Sequence, residues 1–115
     1  MTRNYEEERL QKALVQHLML RAKPGVVWFH VPNGVSSSPR TGARMKAMGL
    51  VAGVADLYFL SPDGRSAFLE LKAPKNYPTA EQKAFRDRVI AAGARWEWSK
   101  DLDHALSVLT EWGIL

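Results

Sequence analysis

Between Tyr5 and Leu20, Leu10, Leu14 and Leu18 recur four residues apart, the spacing that lines one face of a helix. Glu6, Glu7 and Glu8 load the first turn with the charge that suits a helix N-terminus, and Pro24-Gly25 closes the segment. The pattern then changes. Val26 to Val31 reads as a strand ended by Pro32-Asn33-Gly34, and Ser38-Pro39 supplies a cap and first position for a short helix running to Met48. Two apolar runs follow in GVADLYFLSPDGRSAFLELK, residues 53 to 72, separated by a turn signal. Thr79 with Gln82 three residues later fits a capping box, and the helix that it opens should stop at Gly93. Arg95-Trp96-Glu97-Trp98 alternates as a strand, and Asp101 begins a last helix through Ala105, Leu106, Leu109 and Trp112. The order α, β, short helix, β, β, α, β, α predicts an α/β domain with a mixed central sheet flanked by helices.

The hairpin carries acid where a small domain normally buries apolar side chains. Ser61-Pro62-Asp63-Gly64-Arg65 has the chemistry of a three-residue loop, with Gly64 at the left-handed position. Pairing Ser61 with Arg65 places Leu60 opposite Ser66 and Asp56 opposite Glu70, on one face, with β-carbons about 4.5–5.5 Å apart. Lys72 joins that face because the strand period is two. One residue more or less in the loop throws the carboxylates to opposite sides. Two acids forced together repel, and burial aggravates the cost. A divalent cation between them removes the conflict, and oxygen ligands without cysteine favour Mg²⁺ or Mn²⁺. On a helical wheel, Glu7 and Gln11 fall within about 40° of each other on the side of Leu10, Leu14 and Leu18. The first helix can therefore bring Glu7 to the sheet as a third acid. A water-facing Glu7 in an acidic first turn is the simpler alternative.

Composition narrows the classes. The 115 residues suit one domain spanning 1–115, and 46% hydrophobic content is ordinary for a globular chain. The absence of cysteine excludes disulfide scaffolds and thiolate sites. No apolar run is long enough for a membrane span or a leader, so a cytoplasmic location is the default expectation. A net charge of +4 is compatible with a polyanionic partner.

Glu7 with Gln11, His30-Val31-Pro32-Asn33, Gly53-Val54-Ala55-Asp56, Glu70-Leu71-Lys72 and Gln82 together resemble the virus-type replication-repair nuclease domain, VRR-NUC, of the PD-(D/E)XK nuclease superfamily. The resemblance runs from Glu7 to the final strand and helix. It implies a restriction-endonuclease-like core and a metal-dependent endodeoxyribonuclease using Mg²⁺ or Mn²⁺. Asp56, Glu70 and the carbonyl of Leu71 would bind metal, and Lys72 would be the active-site lysine. Glu7 would bind or position the metal cluster from the first helix, and Gln82 would line the pocket. It further implies branched DNA as substrate, four-way junctions included, a homodimer, and products with 5′-phosphate and 3′-hydroxyl ends. Ala55 stands where the family motif usually has proline, a change that removes no ligand.

Other residues carry weaker signals. Asn33 lies in the matching segment, where it can place the following loop. Arg40, Arg44 and Lys46 suit a grip on backbone phosphate, with solvated decoration as the alternative. Lys75 and Tyr77 follow the catalytic strand closely enough to touch a phosphate and a sugar or base, although exposed residues of these types need no such role. A lone strand histidine such as His30 is more often structural. Trp96 and Trp98 share a face, with Trp28 expected near them, and all three read as packing rather than stacking residues. Trp112 suits either a core cap or a subunit interface.

Overall fold

The computed structural model describes residues 5–32 and 38–115. Its elements are α1 (Tyr5–Arg21), β1 (Val27–His30), α2 (Pro39–Ala47), β2 (Leu57–Leu60), β3 (Ser66–Leu71), α3 (Ala80–Ala91), β4 (Arg95–Ser99) and α4 (Leu102–Glu111), in the order that the sequence pattern predicts. The sheet order is β1-β2-β3-β4. β1, β2 and β3 form an antiparallel meander, whereas β4 runs parallel to β3 because α3 carries the chain back between them.

The two sheet faces differ. Leu57, Phe59, Ala67, Leu69 and Leu71 point to one side and bury against Leu14 and Leu18 of α1 and Ala105, Val108 and Leu109 of α4. Deleting one such leucine would cost about 2–5 kcal/mol. The other face carries an aromatic row, Phe29 to Tyr58 to Phe68 to Phe85 of α3, with successive ring centroids 5.1 Å apart. The mixed sheet is thus flanked by helices on both sides.

The hairpin takes the expected register. Ser61 N–H donates to the Arg65 carbonyl at 3.0 Å, Gly64 has a φ of +88°, and Leu60 pairs with Ser66. Trp28 departs from expectation. It pairs with Phe59 and packs on the α1–α4 core, whereas Trp96 and Trp98 pair with Phe68 and Glu70 on the opposite face. The strand parity of β1, set by its pairing with β2, decides this. Trp112 caps the core, its ring 6.3 Å from Phe59. α2 packs against no other helix or strand among the described residues, and none of its residues is buried. No described helix is long and apolar enough to cross a membrane.

Candidate active site

Asp56 stands just before β2, and its backbone is pinned from β1. Its carbonyl accepts Val31 N–H at 2.8 Å and the His30 ring Nδ1–H at 2.8 Å. A carbonyl cannot donate, so that bond keeps the His30 proton on Nδ1 and makes the ring a support for the Asp56 backbone. The Asp56 side chain turns to β3, where its Oδ2 accepts the Leu71 N–H at 2.8 Å. Glu70 lies one residue before Leu71, and the β2–β3 register brings it alongside Asp56. Both acids are buried, at 6% and 2% exposure, and Lys72 joins them at 8%.

The two Glu70 oxygens have different surroundings. Oε2 accepts Gln82 Nε2–H at 2.9 Å and lies 3.9 Å from the Lys72 ammonium. Among the described residues, Oε1 is buried with no hydrogen-bond donor. Burial, then the neighbouring Asp56 charge, pushes the Glu70 carboxyl up to about 9, against the pull of Lys72. A hydrogen bond with Asp56 and the charge of Glu7 push the same way. The sheet has placed an orphaned acceptor beside a second carboxylate, the arrangement that a hard cation satisfies.

Gln82 is held by its own helix. Thr79 Oγ1 accepts the Gln82 N–H at 3.2 Å, and Gln82 Oε1 accepts the Thr79 N–H at 2.8 Å. The capping box fixes the amide so that its NH₂ group aims at Glu70. Gly53 sets the distance between the two parts. Its φ is +83°, and a β-carbon there would stand 2.4 Å from the Glu81 carbonyl oxygen and 2.8 Å from the Gln82 nitrogen. The chain entering Asp56 therefore rests directly on the first turn of α3.

Glu7 is half-buried at the start of α1 and acts on Glu70 through its charge. Among the described residues, no group of three or more His, Cys, Asp or Glu side chains is gathered closely enough to cage an ion. The carboxylate pair is the local unit. Mg²⁺ commonly takes one or two carboxylates and completes its shell with water and phosphate oxygens, which fits such a pair.

Of the other anticipated contacts, Tyr77 packs on Trp98, the strand partner of Glu70, and the other described ones lie apart from the pair. Arg40, Arg44 and Lys46 lie exposed on α2, which contacts no other element among the described residues. Lys75 is exposed in the turn after β3, and Tyr77 beyond it is 63% exposed. Asn33 lies outside the described residues. Beside Lys72 opens a cleft of about 380 Å³, lined by Glu6, Arg9, Leu10, Ala13, Lys72, Pro74, Lys100 and Leu102. Lys100 and the face of Trp98 beside Glu70 had no signal in the sequence, because only the parallel return of β4 brings them to the site.

Solved structures share this architecture. One, described as a VRR_NUC domain protein, matches with a TM-score of 0.74 at 20% identity, covering 96% of this chain and 89% of its own. A second, described as a VRR_NUC domain, matches with a TM-score of 0.61 at 20% identity over 94% of this chain and 97% of its own. This is a VRR_NUC fold. No family model matches the sequence, and no curated protein matches it. The likeness is therefore one of architecture. On that VRR_NUC fold, this chain carries the buried Asp56–Glu70 pair.

Proposed function

We propose that this chain is a divalent-metal-dependent endodeoxyribonuclease that prefers branched DNA, such as four-way junctions, and works as a homodimer. The observation that supports the chemistry most strongly is the donor-less Oε1 of Glu70, buried beside Asp56 on a VRR_NUC fold. Asp56 and Glu70, with the Leu71 carbonyl, are the residues to hold Mg²⁺ or Mn²⁺. Gln82 and the Leu71 N–H fix the two carboxylates, so little reorganisation is needed on binding. When bound, such an ion supplies Lewis-acid polarisation of a phosphoryl oxygen and lowers the pKa of a coordinated water.

The protein's own groups act around it. Lys72, almost buried and near Glu70, places a positive charge where a phosphodiester oxygen gains negative charge. Glu7 adds acidity from α1 and strengthens the site's demand for a cation. Water attacks phosphorus, the bond to the 3′-oxygen breaks, and the products carry 5′-phosphate and 3′-hydroxyl ends. A symmetric dimer would present two such sites to the two strands of a junction. Arg40, Arg44 and Lys46 of α2, with Lys75, Tyr77 and Asn33, are the proposed contacts to the flanking DNA.

A panel of labelled four-way junction, flap, linear duplex and RNA, with Mg²⁺, Mn²⁺ or chelator, tests this reading. Cleavage of branched DNA that needs the metal and disappears in Asp56→Ala is the expected result. Undiminished cleavage by Asp56→Ala would remove the metal assignment. Cleavage of RNA alone would replace the substrate. Salt-sensitive binding without any cleavage would make the chain a nucleic-acid-binding module.

A further inference from the structure

Lys100, at the rim of the cleft beside Lys72, belongs to an aromatic cluster that the carboxylate chemistry does not use. Tyr77, in the loop after β3, sets its ring against Trp98, with centroids 5.6 Å apart at an interplanar angle of 62°. The Lys100 ammonium lies 4.5 Å from the Tyr77 ring centroid and 5.8 Å from that of Trp98, and it reaches the Tyr77 hydroxyl at 3.4 Å. Trp98 is the β4 partner of Glu70, so this cluster adjoins the carboxylate pair on the same sheet face. Lys100 and Lys72 line one cleft with Arg9, and among the described residues Glu6 is the only acid that lines it. The Tyr77 ring nevertheless stays 63% exposed.

An exposed aromatic ring held in a fixed pose by Trp98 and Lys100, with Lys100 also lining a cleft shared with Lys72 and Arg9, has the makings of a nucleotide seat. Aromatic faces accept any base, because every base has a π-face, while the cations track the phosphates. Holding Tyr77 against Trp98 and Lys100 removes ring freedom before the ligand arrives, which lowers the cost of stacking.

We infer that the rim of this cleft, where Lys100 meets Tyr77 and Trp98, seats the nucleotide next to the scissile phosphate. Tyr77, backed by Trp98, stacks its base, and Lys100 with Arg9 holds its phosphate. This assignment rests on the nuclease reading for the word scissile, but the seat itself is a binding site that can be measured without turnover.

The experiment is fluorescence anisotropy in chelator, where no metal-dependent cleavage occurs, on two labelled single-stranded oligomers of equal length. One is ordinary DNA and the other is an abasic chain with the same phosphates. Wild type should prefer the base-bearing oligomer by about tenfold, the scale of one stacked base. Tyr77→Ala should bring the two affinities together, and Tyr77→Phe should restore the preference. Lys100→Ala should weaken both oligomers alike and flatten the slope of log affinity against log salt by about 0.7. A thermal melt of each variant separates misfolding from lost contacts. A Tyr77→Ala protein that melts as wild type and keeps the full preference would overturn the inference, as would an unchanged salt slope in Lys100→Ala. Absence of cleavage by wild type in the nuclease panel would sink the catalytic reading and leave these affinity ratios to decide the cleft.

Discussion

At the scale of residues, Gln82 shows how the site borrows rigidity from secondary structure. Its carbonyl closes the capping box with Thr79, and its NH₂ group donates to Glu70 Oε2 at 2.9 Å. One side chain thus starts α3 and orients the buried acid proposed to hold the metal. The two roles can be separated. Thr79→Ala removes the hydroxyl half of the box and should cost about 1 kcal/mol of stability. It leaves the Gln82 amide in place, so most cleavage should survive. Gln82→Ala should cost a similar amount of stability and also lower cleavage or metal affinity by about tenfold or more, as loss of a ligand's supporting hydrogen bond usually does. Chemical denaturation and metal titration of both variants check this pair. Equal losses of cleavage in the two would reduce Gln82 to a helix cap.

At the scale of elements, the hairpin was legible because its loop chemistry and its strand period agree. A three-residue loop with Gly64 left-handed leaves one register, and that register sets Asp56 and Glu70 side by side. The helix boundaries were legible for a similar reason: Thr79 and Asp101 cap α3 and α4 as their residue types suggest. What stayed hidden depends on contacts between distant segments. The face of Trp28 follows from pairing with β2, the approach of Lys100 to Lys72 follows from the parallel return of β4, and the isolation of α2 follows from what fails to pack on it. Gly53 belongs to this hidden class too. A glycine before Asp56 looks like an ordinary turn residue, yet its missing β-carbon is what lets the chain touch the first turn of α3. Gly53→Ala combines a left-handed backbone with a clash against backbone atoms that cannot rotate away. It should destabilise the fold by about 2–4 kcal/mol. Because the displaced turn carries Gln82, cleavage measured well below the melting temperature should fall further than the folded fraction does. A folded variant with full cleavage would show that α3 tolerates the shift and that the spacing is not critical.

For the whole molecule, a chain of net charge +4 carries an acidic pocket within a basic exterior, so the exterior can attract a polyanion that the pocket alone would repel. The pocket's cost is recorded in Glu70. Its carboxyl titrates at about 9 in the fold and at 4.5 in an unconstrained chain, with burial as the main cause and the Asp56 charge next. Between those two values the folded chain keeps a proton that the unfolded chain has lost, so this group makes folding less favourable as pH rises through the window. The slope from one such group is at most about 1.4 kcal/mol per pH unit. In chelator, wild type should therefore lose stability relative to Glu70→Gln as pH climbs from 5 towards 9, and Glu70→Gln should be the more stable protein at the upper end. On the proposed metal site, saturating Mn²⁺ would bind the deprotonated pair and should reverse the trend for wild type alone, raising its melting temperature more at pH 8 than at pH 6. Melting curves of the two proteins across this range, with and without Mn²⁺, decide the matter. Parallel pH profiles in chelator, or an equal Mn²⁺ shift in Glu70→Gln, would mean that the carboxylate pair is already satisfied within the fold and has no need of a cation.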